Sequence, residues 1–448
     1  MDVMTNKTDK ATRIDLFSFK APQMRVFHLT WIAFFLCFFA WFGIAPLMAI
    51  VRNELSLTKE QVGNIIISSV AITIFARLII GWLADKYGPR ITYSVLLIVG
   101  AIPVMLIGLS HSYATFLMFR LFIGVIGASF VITQFHTSLM FAPNVVGTAN
   151  ATTAGWGNLG GGITQMLMPL VFSAFLAFGF SNALAWRYSM VVPGVVLLIM
   201  GILYYKYTTD CPEGNFKDLK KAGKFKSKAQ SGSFLLAVKD YRVWGLFLIY
   251  GACFGIELTI NNIAAIYFTD YFSLDFKTAG LIAGLFGLMN IFARSLGGIL
   301  GDKAGILRGL KGRVMFLFFV LFLEGVSLIL FSRITYLPLA IAGLTIFSLF
   351  VQMSEGATFS VVPFVNKNAV GAISGIVGAG GNAGAVMAGF LFKSPNITYP
   401  QALLIIGIVV CFISVASFAV RFSTSDEMEA RAELDKSLLE VDLKRSRA

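Results

Sequence analysis

Apolar runs of about 20 residues recur through most of this 448-residue chain, and a segment of that length is what an α-helix needs to cross a bilayer. In hydrocarbon only helices and closed barrels leave no backbone group without a partner. The runs are continuous rather than alternating, so they read as helices. The composition supports lipid as the solvent: 57% of residues are hydrophobic, 13% are charged, and the mean hydropathy is +0.79. Twelve spans are predicted, at 27–51, 61–84, 91–110, 113–137, 150–180, 187–207, 243–269, 278–300, 313–332, 336–362, 369–392 and 401–421. The first 25 residues carry Lys7, Lys10, Arg13, Lys20 and Arg25, but no small-residue cleavage site follows the first run, so no removable signal peptide is expected.

The basic residues set an orientation. Of 36 Lys and Arg, only Arg52, Lys59, Arg187, Lys277, Arg333 and Lys393 fall on the odd-numbered connections, which predicts cytoplasmic termini. Topology therefore accounts for the net charge of +13, and no nucleic-acid partner is expected. Cys37, Cys211, Cys253 and Cys411 are scattered, as are His28, His111 and His136, so neither a disulfide framework nor a metal site is expected. No nucleophile-base pattern or phosphate-cradling loop is visible, which argues against an enzyme and leaves no cofactor to expect.

One phrase occurs twice. Phe75-Ala-Arg-Leu-Ile-Ile-Gly-Trp-Leu-Ala-Asp-Lys-Tyr-Gly88 matches Phe292-Ala-Arg-Ser-Leu-Gly-Gly-Ile-Leu-Gly-Asp-Lys-Ala-Gly305 in register, 217 residues later. A second echo sets Gly157-Asn158-Leu-Gly160 against Gly381-Asn382-Ala-Gly384, and Val146-Gly147 against Val370-Gly371. The expected organisation is an N-terminal tail (1–26), a six-helix bundle (27–207), a polar linker (208–242), a second, pseudo-symmetric six-helix bundle (243–421) and a C-terminal tail (422–448). Parallel repeats of this kind are a transporter architecture, with the substrate near the midplane between the halves.

Arg77 and Arg294 each precede the aspartate of the repeated phrase by eight residues, or about 12 Å along a helix, close to the middle of a core about 30 Å thick. An arginine there costs about 2.5–3.5 kcal/mol on insertion scales and must face a cavity or a partner. Two at one depth on related helices imply a shared anionic guest, for which a guanidinium offers two parallel hydrogen bonds. The competing explanation pairs each arginine with a buried carboxylate, and Glu257, Glu324 and Glu355 are available. Helices five and eleven are glycine-rich at this depth. Packing explains most of those glycines, but not Asn158 and Asn382, whose amides, with Gly155, Gly157 and Gly381 beside them, are candidate guest contacts. Asp85, Lys86 and Arg90, with Asp302 and Lys303, lie at helix ends and read as gating groups or topology anchors.

Gly81-Trp-Leu-Ala-Asp-Lys-Tyr-Gly-Pro-Arg90 resembles the loop two-three signature of the major facilitator superfamily, and the 298–305 segment resembles its second-half counterpart. Ala154-Gly-Trp-Gly-Asn-Leu-Gly-Gly-Gly162 and Gly380-Gly-Asn-Ala-Gly384 resemble the paired signatures of the nitrate/nitrite porter family. Phe254-Gly-Ile-Glu-Leu-Thr-Ile-Asn-Asn262 with Tyr267-Phe268 is similar to the high-affinity branch of plants, algae and cyanobacteria. The resemblance implies a major facilitator fold in which Arg77 and Arg294 grip the anion and Asn158 contributes. It also implies aromatic rings around the guest. Phe135 is the helix-four candidate, with a core aromatic as the alternative, and helix seven offers Ile260 and Asn261 where a ring is expected.

The implied function is alternating-access transport of nitrate and nitrite by a monomeric, multi-pass protein of the plasma or inner membrane. Entry against a negative interior needs coupling, and a proton symporter with Glu257 as coupling acid is expected. Nitrate/nitrite exchange, an accessory protein, another small oxyanion or carboxylate (phosphate, formate, a dicarboxylate) and a non-transporting nitrate receptor remain open alternatives. Glu324, Glu355 and Arg120 are assigned to structure or gating.

Overall fold

The computed structural model describes residues 10–11, 13–141, 146–222, 233–366 and 370–432. Twelve helices among them are long and apolar enough to cross a membrane: α1 (Pro22–Glu54), α2 (Lys59–Gly81), α3 (Pro89–Leu109), α4 (Tyr113–Met140), α5 (Ala149–Ala177), α6 (Asn182–Tyr207), α7 (Tyr241–Tyr271), α8 (Phe276–Gly301), α9 (Lys303–Phe331), α10 (Leu337–Val361), α11 (Gly375–Lys393) and α12 (Tyr399–Ala419). The even number puts both ends of the chain on one face, here called the termini face. On the opposite face α2, α4, α6, α8 and α12 each begin at a side-chain cap: Thr58, Ser112, Ser181, Asp275 and Thr398. Such caps satisfy amides that the first helical turn leaves without an acceptor. Thr278 and the amides of the first turn hold the Asp275 carboxyl below its ordinary range.

On the termini face the connections differ between the halves. Helical geometry in the first half ends at Gly88, whose φ of +92° suits glycine, and Pro89 starts α3. In the second half the expected connection 301–312 is largely helical: it continues past Gly305 and breaks at Arg308 and Gly309, the latter at φ +66°. That stretch contains no proline, so the chain stays helical until a glycine supplies the left-handed step.

The repeat recurs in the packing. A Cβ on Gly160 of α5 would lie 2.1 Å from the Phe35 carbonyl oxygen of α1, and one on Gly384 of α11 would lie 2.1 Å from the Gly251 carbonyl oxygen of α7. Gly157 makes room for the Phe34 ring, whose Cδ1 is 1.9 Å from the position of a Cβ, and Gly381 does the same for Phe254 at 2.3 Å. The glycines thus let α5 and α11 lie directly against α1 and α7, as small residues do in membrane bundles. Gly384→Ala forces backbone rather than a side chain to move. It is expected to cost about 1–3 kcal/mol and to lower the midpoint of thermal unfolding in detergent, followed by size-exclusion fluorescence.

Toward the face opposite the termini the halves are sealed together. Arg52 donates twice to Asp270, at 2.7 and 3.0 Å, Lys393 pairs with Glu60 at 3.3 Å, and Lys59 donates to the Ile397 carbonyl. Deeper, Gln165 donates to the Asn261 carbonyl, and Arg120 reaches the Trp41 carbonyl at 2.8 Å and Asn262 at 3.4 Å. These contacts lie between the middle of the bundle and that face. Near the termini face, His136 and Tyr204 form a buried network with Thr30 and the Thr209 carbonyl, so this histidine holds helices together. Among the described residues no group of His, Cys, Asp and Glu could hold a metal ion.

Candidate anion site between the halves

Arg77 and Arg294 converge on one ring. Phe254, on α7, has the Arg77 guanidinium 5.8 Å from its centroid and that of Arg294 at 6.0 Å. It stacks on Tyr250 with centroids 5.1 Å apart and faces Phe130 of α4 at 6.4 Å. Arg77 also lies over Phe130, at 5.3 Å. A ring face attracts a cation, so three aromatic side chains hold two guanidiniums near each other without neutralising either.

The two arginines are partnered differently. Arg77 is 6% exposed and crosses to the other half through one hydrogen bond, Nη1 to the Gly378 carbonyl at 2.8 Å. Its Nε and Nη2 are buried and have no hydrogen-bond partner. Those two nitrogens share one edge of the guanidinium, the edge that gives two parallel N–H donors to a planar oxyanion. Arg294, 4% exposed, is matched within its own half: Nη1 pairs with Glu355 of α10 and Nη2 donates to the Tyr250 hydroxyl at 2.8 Å. The carboxylate pairing weighed against a shared guest therefore describes Arg294 but not Arg77.

Asn158 and Glu257 meet across the halves. The Asn158 amide donates to Glu257 Oε2 at 3.2 Å, and Asn290, at the break in α8, donates to Oε1 at 2.7 Å. Glu257 is fully buried with a donor on each oxygen. Two amide donors, one from each half, suit a fixed hydrogen-bonding role for this side chain. This arrangement also leaves Asn158 Oδ1 unpartnered. Asn382, buried at the corresponding place in α11, has no partner for either amide atom.

Gly155 borders Arg294: a Cβ there would sit 3.2 Å from the Asn290 carbonyl and 3.9 Å from the arginine stem. Gly157 and Gly381 instead seat Phe34 and Phe254, so they position rings rather than line the space beside Arg77. Phe130, rather than Phe135, is the α4 ring beside Arg77. Five residues at 3.6 per turn put the two on different faces of the helix. The helix-seven ring is Phe254, not the Ile260–Asn261 position, and the clue was Gly381, which lies opposite Phe254 as Gly157 lies opposite Phe34.

Of the gating candidates, the side chains of Asp85 and Asp302 lie outside the described residues. Lys86 and Lys303 are exposed. Arg90 donates through Nε to the Tyr205 carbonyl at 2.8 Å and lies 4.2 Å over the Tyr205 ring. The sequence reading missed two other acids on this face. Asp210, just after α6, accepts from the Arg90 backbone at 2.8 Å and from Phe216 at 2.9 Å. Glu427, after α12, accepts from the Leu310 and Lys311 amides at 2.8 and 2.9 Å. Each half therefore ends in a carboxylate that caps its own third helix. Burial pushes the Asp210 carboxyl above its ordinary range, against the pull of its two amide donors and Arg90.

The sequence matches the Major Facilitator Superfamily over residues 30–389. It is 40% identical over 403 residues to the high affinity nitrate transporter 2.5 of Arabidopsis thaliana, an alignment covering 90% of this chain and 80% of that one. It is 32% identical to the nitrate/nitrite transporter NrtP of a Picosynechococcus species, covering 83% and 85%. Among solved structures, a bacterial homologue of the human lysosomal transporter Spinster, inward-facing and unoccupied, superposes with a TM-score of 0.70 at 16% identity over 90% of this chain and 99% of that one.

Proposed function

The chain belongs to the major facilitator superfamily and, within it, to the nitrate/nitrite porter family, and from that premise we propose that it carries nitrate, and nitrite with it, across the membrane by alternating access driven by protons. The observation that carries the reading is the open edge of Arg77: a buried guanidinium beside two aromatic faces, with two coplanar N–H donors and no carboxylate paired to it. Leaving such donors buried and unmatched is costly, and a planar anion of a few atoms matches them edge to edge. The Asn158 and Asn382 amides stand nearby as further donors, and the rings of Phe130 and Phe254 exclude water from its faces. We place the termini in the cytoplasm and take the monomer as the working unit. In that orientation the Arg52–Asp270 and Lys393–Glu60 pairs close the outer side, which makes this the inward-facing partner in the cycle.

Uptake by proteoliposomes under imposed proton, sodium or internal-nitrite gradients tests the reading. Saturable nitrate uptake stimulated by an inward proton gradient is expected, with competition by nitrite and none by phosphate, formate or dicarboxylates. Flux no greater than in empty liposomes would contradict it.

A further inference from the structure

Arg294 meets Glu355 through Nη1 and the Tyr250 hydroxyl through Nη2, so its charge is already matched by a carboxylate. A guest anion therefore competes with Glu355 for that charge. We propose that Glu355 is the coupling acid: protonation of its carboxyl releases Arg294 to the anion, and departure of the anion returns Arg294 to the carboxylate. This rests on the nitrate-transport reading above and names the residue through which protons drive it.

Three observations point to Glu355 rather than Glu257. First, Glu355 is fully buried on α10 with Oε2 on Arg294 and Oε1 without a hydrogen-bond partner. A proton therefore has an unpartnered oxygen to occupy, whereas each oxygen of Glu257 already accepts an amide hydrogen. Second, Glu355 and the guest compete for the charge of the same guanidinium, so occupancy by one weakens the hold on the other. Glu257 reaches the candidate guest contacts through the Asn158 amide, not through a direct bond to Arg294. Third, charge is balanced only if a proton arrives. Among the described residues buried in the middle of the spans, Arg77, Arg120 and Arg294 stand against Glu257, Glu324 and Glu355. The guest adds one negative charge to a buried, water-poor region where an unmatched charge is expensive, and one proton on Glu355 restores the balance.

The groups facing Glu355 are consistent with a switch. From α7 come Tyr250, Cys253 and Glu257, from α8 Arg294, and from α9 Glu324. Arg294 is the one cation among them, so when it swings to the guest the carboxylates Glu257 and Glu355 face each other without a counter-charge. That arrangement favours a shared proton. In the reverse step the anion leaves, Arg294 turns back, and the proton is given up to the aqueous side then open. The coupling is reciprocal: low pH tightens anion binding, and anion binding draws in a proton.

The test uses the purified full-length protein in weakly buffered detergent, with nitrate added, binding followed by calorimetry, and proton uptake followed with a pH-indicator dye. The wild type is expected to take up about one proton per nitrate bound. Glu355→Gln is expected to bind nitrate with no proton uptake and with an affinity that no longer changes across the neutral pH range. Glu324→Gln is expected to keep the uptake. Nitrate binding by the wild type without proton uptake, or undiminished uptake in Glu355→Gln, overturns the assignment and leaves the transport reading standing. No nitrate binding by the wild type overturns both. Should Glu355→Gln fail to fold, the infrared difference spectrum of the wild type decides. A protonated-carboxyl band induced by nitrate, and shifted in Glu355→Asp, supports the proposal, and its absence overturns it.

Discussion

Arg77→Lys raises the nitrate concentration for half-maximal uptake about a hundredfold, while the protein stays monodisperse. The charge survives the change, so an effect of this size tests geometry. Lysine is a point charge on a flexible stem and cannot present two coplanar donors. The variant loses one charge-assisted hydrogen bond to the guest, worth about 1.5–3 kcal/mol, and a tenfold change in affinity corresponds to about 1.4 kcal/mol. It also loses the bond from Nη1 to the Gly378 carbonyl that ties α2 to α11. Concentration-dependent uptake by proteoliposomes, with the thermal midpoint measured in parallel, checks the prediction. An unchanged half-saturation concentration would mean that the Arg77 edge does not hold the anion.

Gly287→Val is expected to reduce transport at least tenfold by an unrelated route. A Cβ on Gly287 of α8 would stand 2.2 Å from Gly162 Cα of α5, and one on Gly162 would stand 2.6 Å from Gly287 Cα. Gly280 and Gly284 continue the contact: a Cβ on either would lie 2.4 Å from the Gln165 carbonyl oxygen or 3.0 Å from that of Gly162, respectively. This is backbone against backbone across the two halves, on the side sealed by Arg52 and Asp270. A branched side chain there meets atoms that cannot rotate away, so the halves cannot close on that side and the protein stays open to it. The observable is the reaction of a cysteine at position 261 with a membrane-impermeant maleimide. Asn261 is 1% exposed, so that cysteine is expected to be protected in the parent and labelled in the Gly287→Val background, with nitrate binding preserved. Protection in both backgrounds would show that the glycine contact does not govern closure.

The fold was legible because its signals are local and repeated. A run of apolar residues long enough to cross a bilayer has few alternatives in hydrocarbon, and the phrase around Arg77 and Arg294 aligns the halves before any contact is known. The partners were not legible. Glu257, Glu324 and Glu355 are equally available in sequence, and which of them meets Arg294 depends on how α7, α9 and α10 are rotated about their axes. Phe135 was named, and Phe130 beside Arg77 was not, for the same reason, since a small error in register turns a ring to another face of its helix.

The roles of the glycines were half visible. Their pairing announced close helix contact, but only the packing reveals that Gly157 and Gly381 hold the Phe34 and Phe254 rings in place. Asn290 was overlooked because it lies at a break in α8 that a hydropathy reading smooths over. Asp210 and Glu427 left a usable trace: they stand 217 residues apart, the same offset that separates Arg77 from Arg294. An acid just past the last span of each half was a repeat that hydropathy alone does not register.

The claim on which the account turns is that one edge of Arg77 receives the anion. Solid-state magnetic resonance of the protein in lipid, with 15N-nitrate and 13C-labelled arginine, measures it directly as dipolar dephasing of the arginine Cζ signal. The account predicts dephasing that places nitrate within about 4 Å of an arginine Cζ, the reach of a bidentate contact, and its marked loss in Arg77→Lys. Dephasing of equal strength in wild type and Arg77→Lys, or none in either at saturating nitrate, would contradict it.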